Sequence, residues 1–202
     1  MKRILLTILV LQSYFLVAQT NDVNQIKADF KSFNRAMQTL DFEHFLDMTY
    51  PPVFEIYDRK VFKEALKEAL EGNEEIKVEI VELAESDYKI SQVFEMNSPT
   101  TKYAFISYPT RMKMTFTDQT FDEEMQEMMA LMMETDIMKI NFINNNTFLM
   151  DQKTLMIAIK DSKTNRQWKY LNYDSEMEMG NLIPEKVIED AIAFFQAYLN
   201  EN

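Results

Sequence analysis

The chain contains no cysteine, and only two glycines and one histidine among 202 residues. Without cysteine there can be no disulfide, thiol nucleophile, thiolate metal site or lipid-modified cysteine, so an exported protein of this composition is held by packing alone. Gly72 and Gly180 are too few and too far apart to form the glycine-rich loop that cradles phosphates in P-loop or dinucleotide-binding proteins. The single histidine, His44, excludes a multi-histidine zinc centre. No metal site and no cofactor is assigned. Basic residues are also scarce: 21 Lys and Arg stand against 33 Asp and Glu, a formal net charge of −12. Such a surface repels nucleic-acid backbones and anionic lipid, and it favours cationic or neutral partners.

Apolar side chains, by contrast, are plentiful. At 47% hydrophobic residues the chain can fill the core of one domain. Lys2 and Arg3 precede a largely apolar, uncharged run from Ile4 to Val17, followed by Ala18-Gln19. The run is short for a bilayer span, so 1–18 reads as a cleaved secretory leader; the alternative is a retained N-terminal anchor. The expected mature chain, 19–202, is a single exported domain with no membrane span, placed in the periplasm or outside the cell.

Asn21 or Asp22 is the expected cap of a first helix whose stripe is Val23, Ile26, Phe30, Phe33, Met37 and Leu40. Asp41 caps a short second helix, Thr49-Tyr50-Pro51-Pro52 ends it, and Asp58 caps a third that stops at Gly72-Asn73. Alternation then predicts strands over 76–80, around 88–94 and over 102–116, with Asn97-Ser98-Pro99-Thr100 as a turn and Pro109 as a bulge or bend. The segment 118–150 reads as an insertion carrying a Met-rich helix, with Phe121, Met125, Met128, Met129, Met132 and Met133 on one face. Thr154 to Tyr173 reads as two strands joined by a polar turn, and a C-terminal helix is expected over 184–200 after Pro184.

Helices followed by long antiparallel strands argue for an α+β fold with segregated layers. Three stretches carry a resemblance: Asp29-Phe30-Lys31-Ser32-Phe33, Leu40-Asp41-Phe42-Glu43-His44-Phe45-Leu46, and Arg166-Gln167-Trp168-Lys169-Tyr170-Leu171-Asn172-Tyr173-Asp174. Over about residues 22–117 and 150–174 the chain resembles the NTF2-like superfamily, the cone shared by SnoaL-type and ketosteroid-isomerase-type proteins. That resemblance implies N-terminal helices packed in the hollow of a curved antiparallel sheet. It also implies a pocket inside the cone and the possibility of a homodimer through the outer sheet face.

Three groups of residues could carry function. His44 has Asp41 and Asp47 within one helical step, and a His–Asp pair can do general acid–base work; the bland alternative is a surface histidine on a short helix. Tyr50, Tyr103, Tyr108, Arg111, Trp168 and Tyr170 could line a pocket, with Arg111 reading a carboxylate; otherwise they are ordinary sheet and core residues. Met128 and Met132 could form an adaptable apolar surface or a lid, and thioethers can hold Cu(I), but methionine more commonly fills gaps in a core. These readings predict a protein that binds a small apolar molecule or a protein partner. The alternative is an enzyme of the SnoaL or isomerase type using His44.

Overall fold

The computed structural model describes residues 2–97, 100–173 and 179–200, with side chains described from Thr20 onward. Among these residues the chain forms six α-helices and an open sheet of seven antiparallel strands. The expected α+β class, with N-terminal helices on the sheet, is observed. Among the described residues no helix is long and apolar enough to cross a membrane.

Helix α1 runs Lys2–Gln38, so the backbone of the segment read as a leader is continuous with it; the side chains of 1–19 lie outside the described residues. Asp22 is therefore no N-cap, because the helix has already passed through it. The apolar stripe holds: Ile26 and Phe30 are fully buried and Phe33 nearly so. Leu40 lies beyond the helix, where a left-handed φ of 55° lets Asp41 N–H reach back to Ala36 O at 2.8 Å. Helices α2 (Phe42–Met48), α3 (Val53–Ile56) and α4 (Arg59–Glu71) follow. Asp58 caps α4 by accepting from Lys60 N–H and Val61 N–H at 2.9 and 3.0 Å. Asp58→Ala is expected to lower stability by about 1 kcal/mol, read as a denaturant midpoint shift at unchanged m. Gly72 ends α4 at φ 71°, where an added Cβ would stand 2.2 Å from Ile76 O.

The strands are β1 (Ile76–Ile80), β2 (Lys89–Ile90), β3 (Phe94–Asn97), β4 (Thr100–Phe116), β5 (Met138–Asn144), β6 (Thr147–Lys160) and β7 (Lys169–Asn172). Two long strands form the spine: β4 and β6 pair in unbroken register from Lys102↔Lys160 to Thr115↔Thr147. The short strands β3, β2 and β1 line the free edge of β4, while β7 and β5 line that of β6. The expected turn at 97–100 includes residues 98 and 99, which lie outside the described residues.

Pro109 is not a bulge. It sits opposite Lys153 within the regular ladder. Odd-numbered residues of β4 turn their backbone toward the short strands: Phe105 O accepts from Ser91 N–H and Arg111 O from Val81 N–H, both at 2.9 Å. Pro109 falls between those two bonds, past β2 and before β1, where no neighbour requires the missing donor.

Alternation along the spine gives the sheet two apolar faces. Ala104, Ile106, Tyr108, Met156, Ala158, Trp168 and Tyr170 pack against α1 and α2. Tyr103, Phe105, Leu155, Ile157, Ile159 and Leu171 pack on the other side against α6 (Glu185–Leu199), through Val187 and Ala191. The face expected to be free for pairing with a second copy thus carries the C-terminal helix. Its far end carries the ion pairs Arg111–Asp151 and Lys113–Glu79.

A third cluster, Ile140, Phe148 and Met150, is covered by Met129 and Met133 of α5 (Glu123–Met133). The segment 118–150 is not a detachable insertion, because Thr147–Met150 begins β6 in register with β4.

Candidate functional site

A cleft of about 400 Å³ opens between α1, α2 and the turn that joins β6 to β7. Its first wall is a polar stripe of α1. Gln25, Asp29 and Ser32 follow each other by four and three residues, so they share a face beside the apolar stripe. His44 and Met48 of α2 form the second wall. The third consists of Lys160, Arg166, Gln167, Trp168 and Lys169.

The β6–β7 turn is shaped by Asp161. Its Oδ1 accepts from Lys163 N–H and Thr164 N–H at 2.9 and 3.0 Å, and Thr164 Oγ1 accepts from Asp161 N–H at 3.0 Å. Tyr50 donates its hydroxyl to the other carboxylate oxygen at 2.9 Å. This brace lets Asn165 and Arg166 take left-handed φ values of 52° and 61°. Arg166 then lines the cleft, and its guanidinium has no partner among the described residues.

The other two cations are tethered. Lys160 donates to Asp22 at 3.1 Å and lies 5.4 Å from the Trp168 ring centre, a cation–π distance. Lys169 donates to the Asp47 carbonyl. Asp22 also accepts from Lys102 at 3.0 Å and from the Trp168 indole N–H at 3.3 Å, which fixes the only indole as the floor of the cleft.

Asp29 is half-buried and accepts the Tyr170 hydroxyl at 2.9 Å. Burial pushes its carboxyl above the usual carboxylate range, against that hydrogen bond and the charge of Lys169. Burial and the Asp29 charge together push the Tyr170 phenol far up, so it remains a donor at neutral pH. His44 shares its Nε2 with Ser32 Oγ at 2.8 Å.

The histidine pairing read from the sequence is not formed. Asp41 is occupied as the cap of α2, accepting from His44 N–H at 3.2 Å, and Asp47 pairs with Arg59 at 2.7 Å. The acid that shares a cleft with His44 is Asp29.

The sheet also divides the aromatic group. Trp168 and Tyr170 lie at or under the cleft. Tyr108, on the same face, donates to Asn172 at 3.2 Å and lines a separate cavity of about 100 Å³ with Arg111. Arg111 is held by Asp151 and Asp87 at 2.9 and 3.1 Å, so its charge is matched within the fold. Tyr103 is on the opposite face and donates to Asp190 at 2.7 Å. Tyr50 belongs to the same cluster as α6. Met128 and Met132 point to solvent, away from these cavities, whereas Met129 and Met133 face the sheet; the sulfurs therefore do not converge. Among the described residues no group of three His, Asp or Glu could hold a metal ion.

Gln25, Asp29, Ser32, Met48, Lys160, Arg166, Gln167 and Lys169 were not anticipated from the sequence. The spacing of Gln25, Asp29 and Ser32 is a detectable signal, but the matching wall lies more than a hundred residues away. No protein-family model matches the chain, and no curated protein matches it.

Proposed function

We propose that this protein is an exported binding module of NTF2-like cone architecture that holds a small organic anion with an apolar part in the cleft between α1, α2 and the β6–β7 turn. One observation carries the reading. In a chain with a net charge of −12, Lys160, Arg166 and Lys169 line a single cleft, and the Arg166 side chain has no partner among the described residues. A guanidinium suits a carboxylate or sulfonate, which it can bind through two parallel hydrogen bonds. Trp168 and Met48 line the same cleft and supply apolar wall for the rest of the ligand. The apolar ligand expected from the sequence is less well served by two apolar cavities described on this face, which measure only about 80 and 100 Å³.

The test uses 2-naphthoate, titrated while the fluorescence of the single tryptophan is followed. Saturable quenching is expected, with affinity at least ten-fold weaker in Arg166→Asn, where asparagine still tolerates the left-handed backbone. The neutral analogue 2-naphthalenemethanol should bind far more weakly. Equal affinity for both compounds, or for both proteins, would remove the proposal.

The second reading is an enzyme of the isomerase type. It is favoured by the presence of Asp29 and His44 in one cleft, which gives a possible acid and base without Asp41 or Asp47. Under it, Asp29→Asn abolishes turnover of a bound substrate while binding persists.

A further inference from the structure

We propose that the outward face of α5 is a docking surface for a cationic amphipathic helix of a partner protein. Met128, Leu131 and Met132 are 54, 84 and 77% exposed, at the i, i+3, i+4 spacing of a continuous helical stripe. The helix cannot turn this stripe inward, because Met129 and Met133 already fill the sheet side. It is also pinned at both ends. Phe121 is buried against Phe116 and Phe142, with ring centres 5.0 and 6.1 Å away, and its N–H donates to Asn145 O at 2.6 Å. At the other end Glu134 accepts from Ile140 N–H at 3.1 Å. The stripe is therefore presented by a fixed helix rather than a loose one, which lowers the ordering cost of binding.

Charge selects the occupant. From Asp118 to Asp136 the sequence holds seven acidic residues and no basic one. Asp118, Glu123, Glu124, Glu127 and Asp136 are exposed and have no ion pair among the described residues. Glu124 and Glu127 fall on the same helical face as the stripe. A second copy of this surface would set acid against acid, and an anionic lipid surface would be repelled. A helix with an apolar stripe flanked by lysine or arginine satisfies both the exposed methionines and the uncompensated carboxylates. Methionine suits such a role because its flexible, polarizable side chain adapts to varied apolar partners.

The experiment uses the full-length protein and two synthetic 14-residue amphipathic helices with the same leucine stripe, one flanked by lysines and the other by glutamates. The Leu/Lys peptide is expected to bind saturably, and the Leu/Glu peptide not at all. Leu131→Gln with Met132→Gln, and separately Glu124→Gln with Glu127→Gln, should each weaken Leu/Lys binding at least ten-fold. All four sites are exposed, so circular dichroism and thermal midpoint should not change. The control Glu64→Gln with Glu68→Gln, on α4, should bind as the parent does. The proposal is overturned if the α4 control weakens binding as much as the α5 variants, if the apolar variant binds normally, or if both peptides bind alike. It is equally overturned if sedimentation shows a dimer that Leu131→Gln dissolves, since the face would then be covered by a second copy.

Discussion

Truncating Phe30 to alanine is expected to destabilise the fold by about 3–5 kcal/mol, enough to leave many single domains marginal. Phe30 is fully buried. Its ring meets Tyr88 and Tyr108 edge-on, at centroid distances of 4.8 and 4.9 Å, so it joins α1 to the β4 side of the sheet. Alanine would remove the transfer free energy of the ring, open a cavity and lose both aromatic contacts. Tyr108 cannot easily fill the space, because its hydroxyl is tied to Asn172. Val61→Ala serves as the contrast: Val61 is 67% exposed, and the loss there should stay within about 0.5 kcal/mol. Urea unfolding of the two variants measures the difference; a Phe30→Ala loss below about 1 kcal/mol would mean that α1 is not seated on the sheet as described.

The second large effect is expected at Asp22. This carboxylate is buried, yet it gathers Lys102, Lys160 and the Trp168 indole. Burial pushes its pKa up, but the hydrogen bonds and charges of the two lysines outweigh burial, and the net shift is downward. Asp22→Asn should lower stability at neutral pH by about 2 kcal/mol, less than for a fully enclosed pair because both lysines can turn toward water. The pH dependence follows from the direction of the shift. A carboxylate whose folded pKa lies below its unfolded one stabilises the fold fully above about pH 4, and that stabilisation disappears as pH falls through the folded value. The gap between parent and Asp22→Asn should therefore be widest at neutral pH and close in acid. A gap that stays constant down to pH 2 would show that the lysines contribute nothing through Asp22.

Local chemistry explains which parts of this protein can be read from its sequence. The stripe of Ile26, Phe30 and Phe33, the caps Asp41 and Asp58, the stop at Gly72 and the alternation of β4 are all set by residues within a few positions of each other. The start of α1 is less legible, because Asp22 suits a helix cap equally well when its actual partners, Lys102 and Lys160, are unknown. The same limit applies to the cleft. Nothing near Asp29 announces Tyr170, and nothing near Arg166 announces α1 and α2. Closeness in sequence pairs His44 with Asp41 and Asp47, whereas its ring bonds Ser32 on the preceding helix. Tyr103 and Tyr108 fall on opposite sides of one strand by parity alone, which already argues against a shared pocket.

The placement of Pro109 bears on self-association. A long strand with an open flank is a template onto which a foreign chain can add and propagate. Here the flank of β4 is taken up by segments of four, two and five residues, and the interval between the last two is occupied by a residue that has no hydrogen to offer. An incoming strand finds no uninterrupted row of donors there, so the protein's longest strand is a poor nucleus for fibrils.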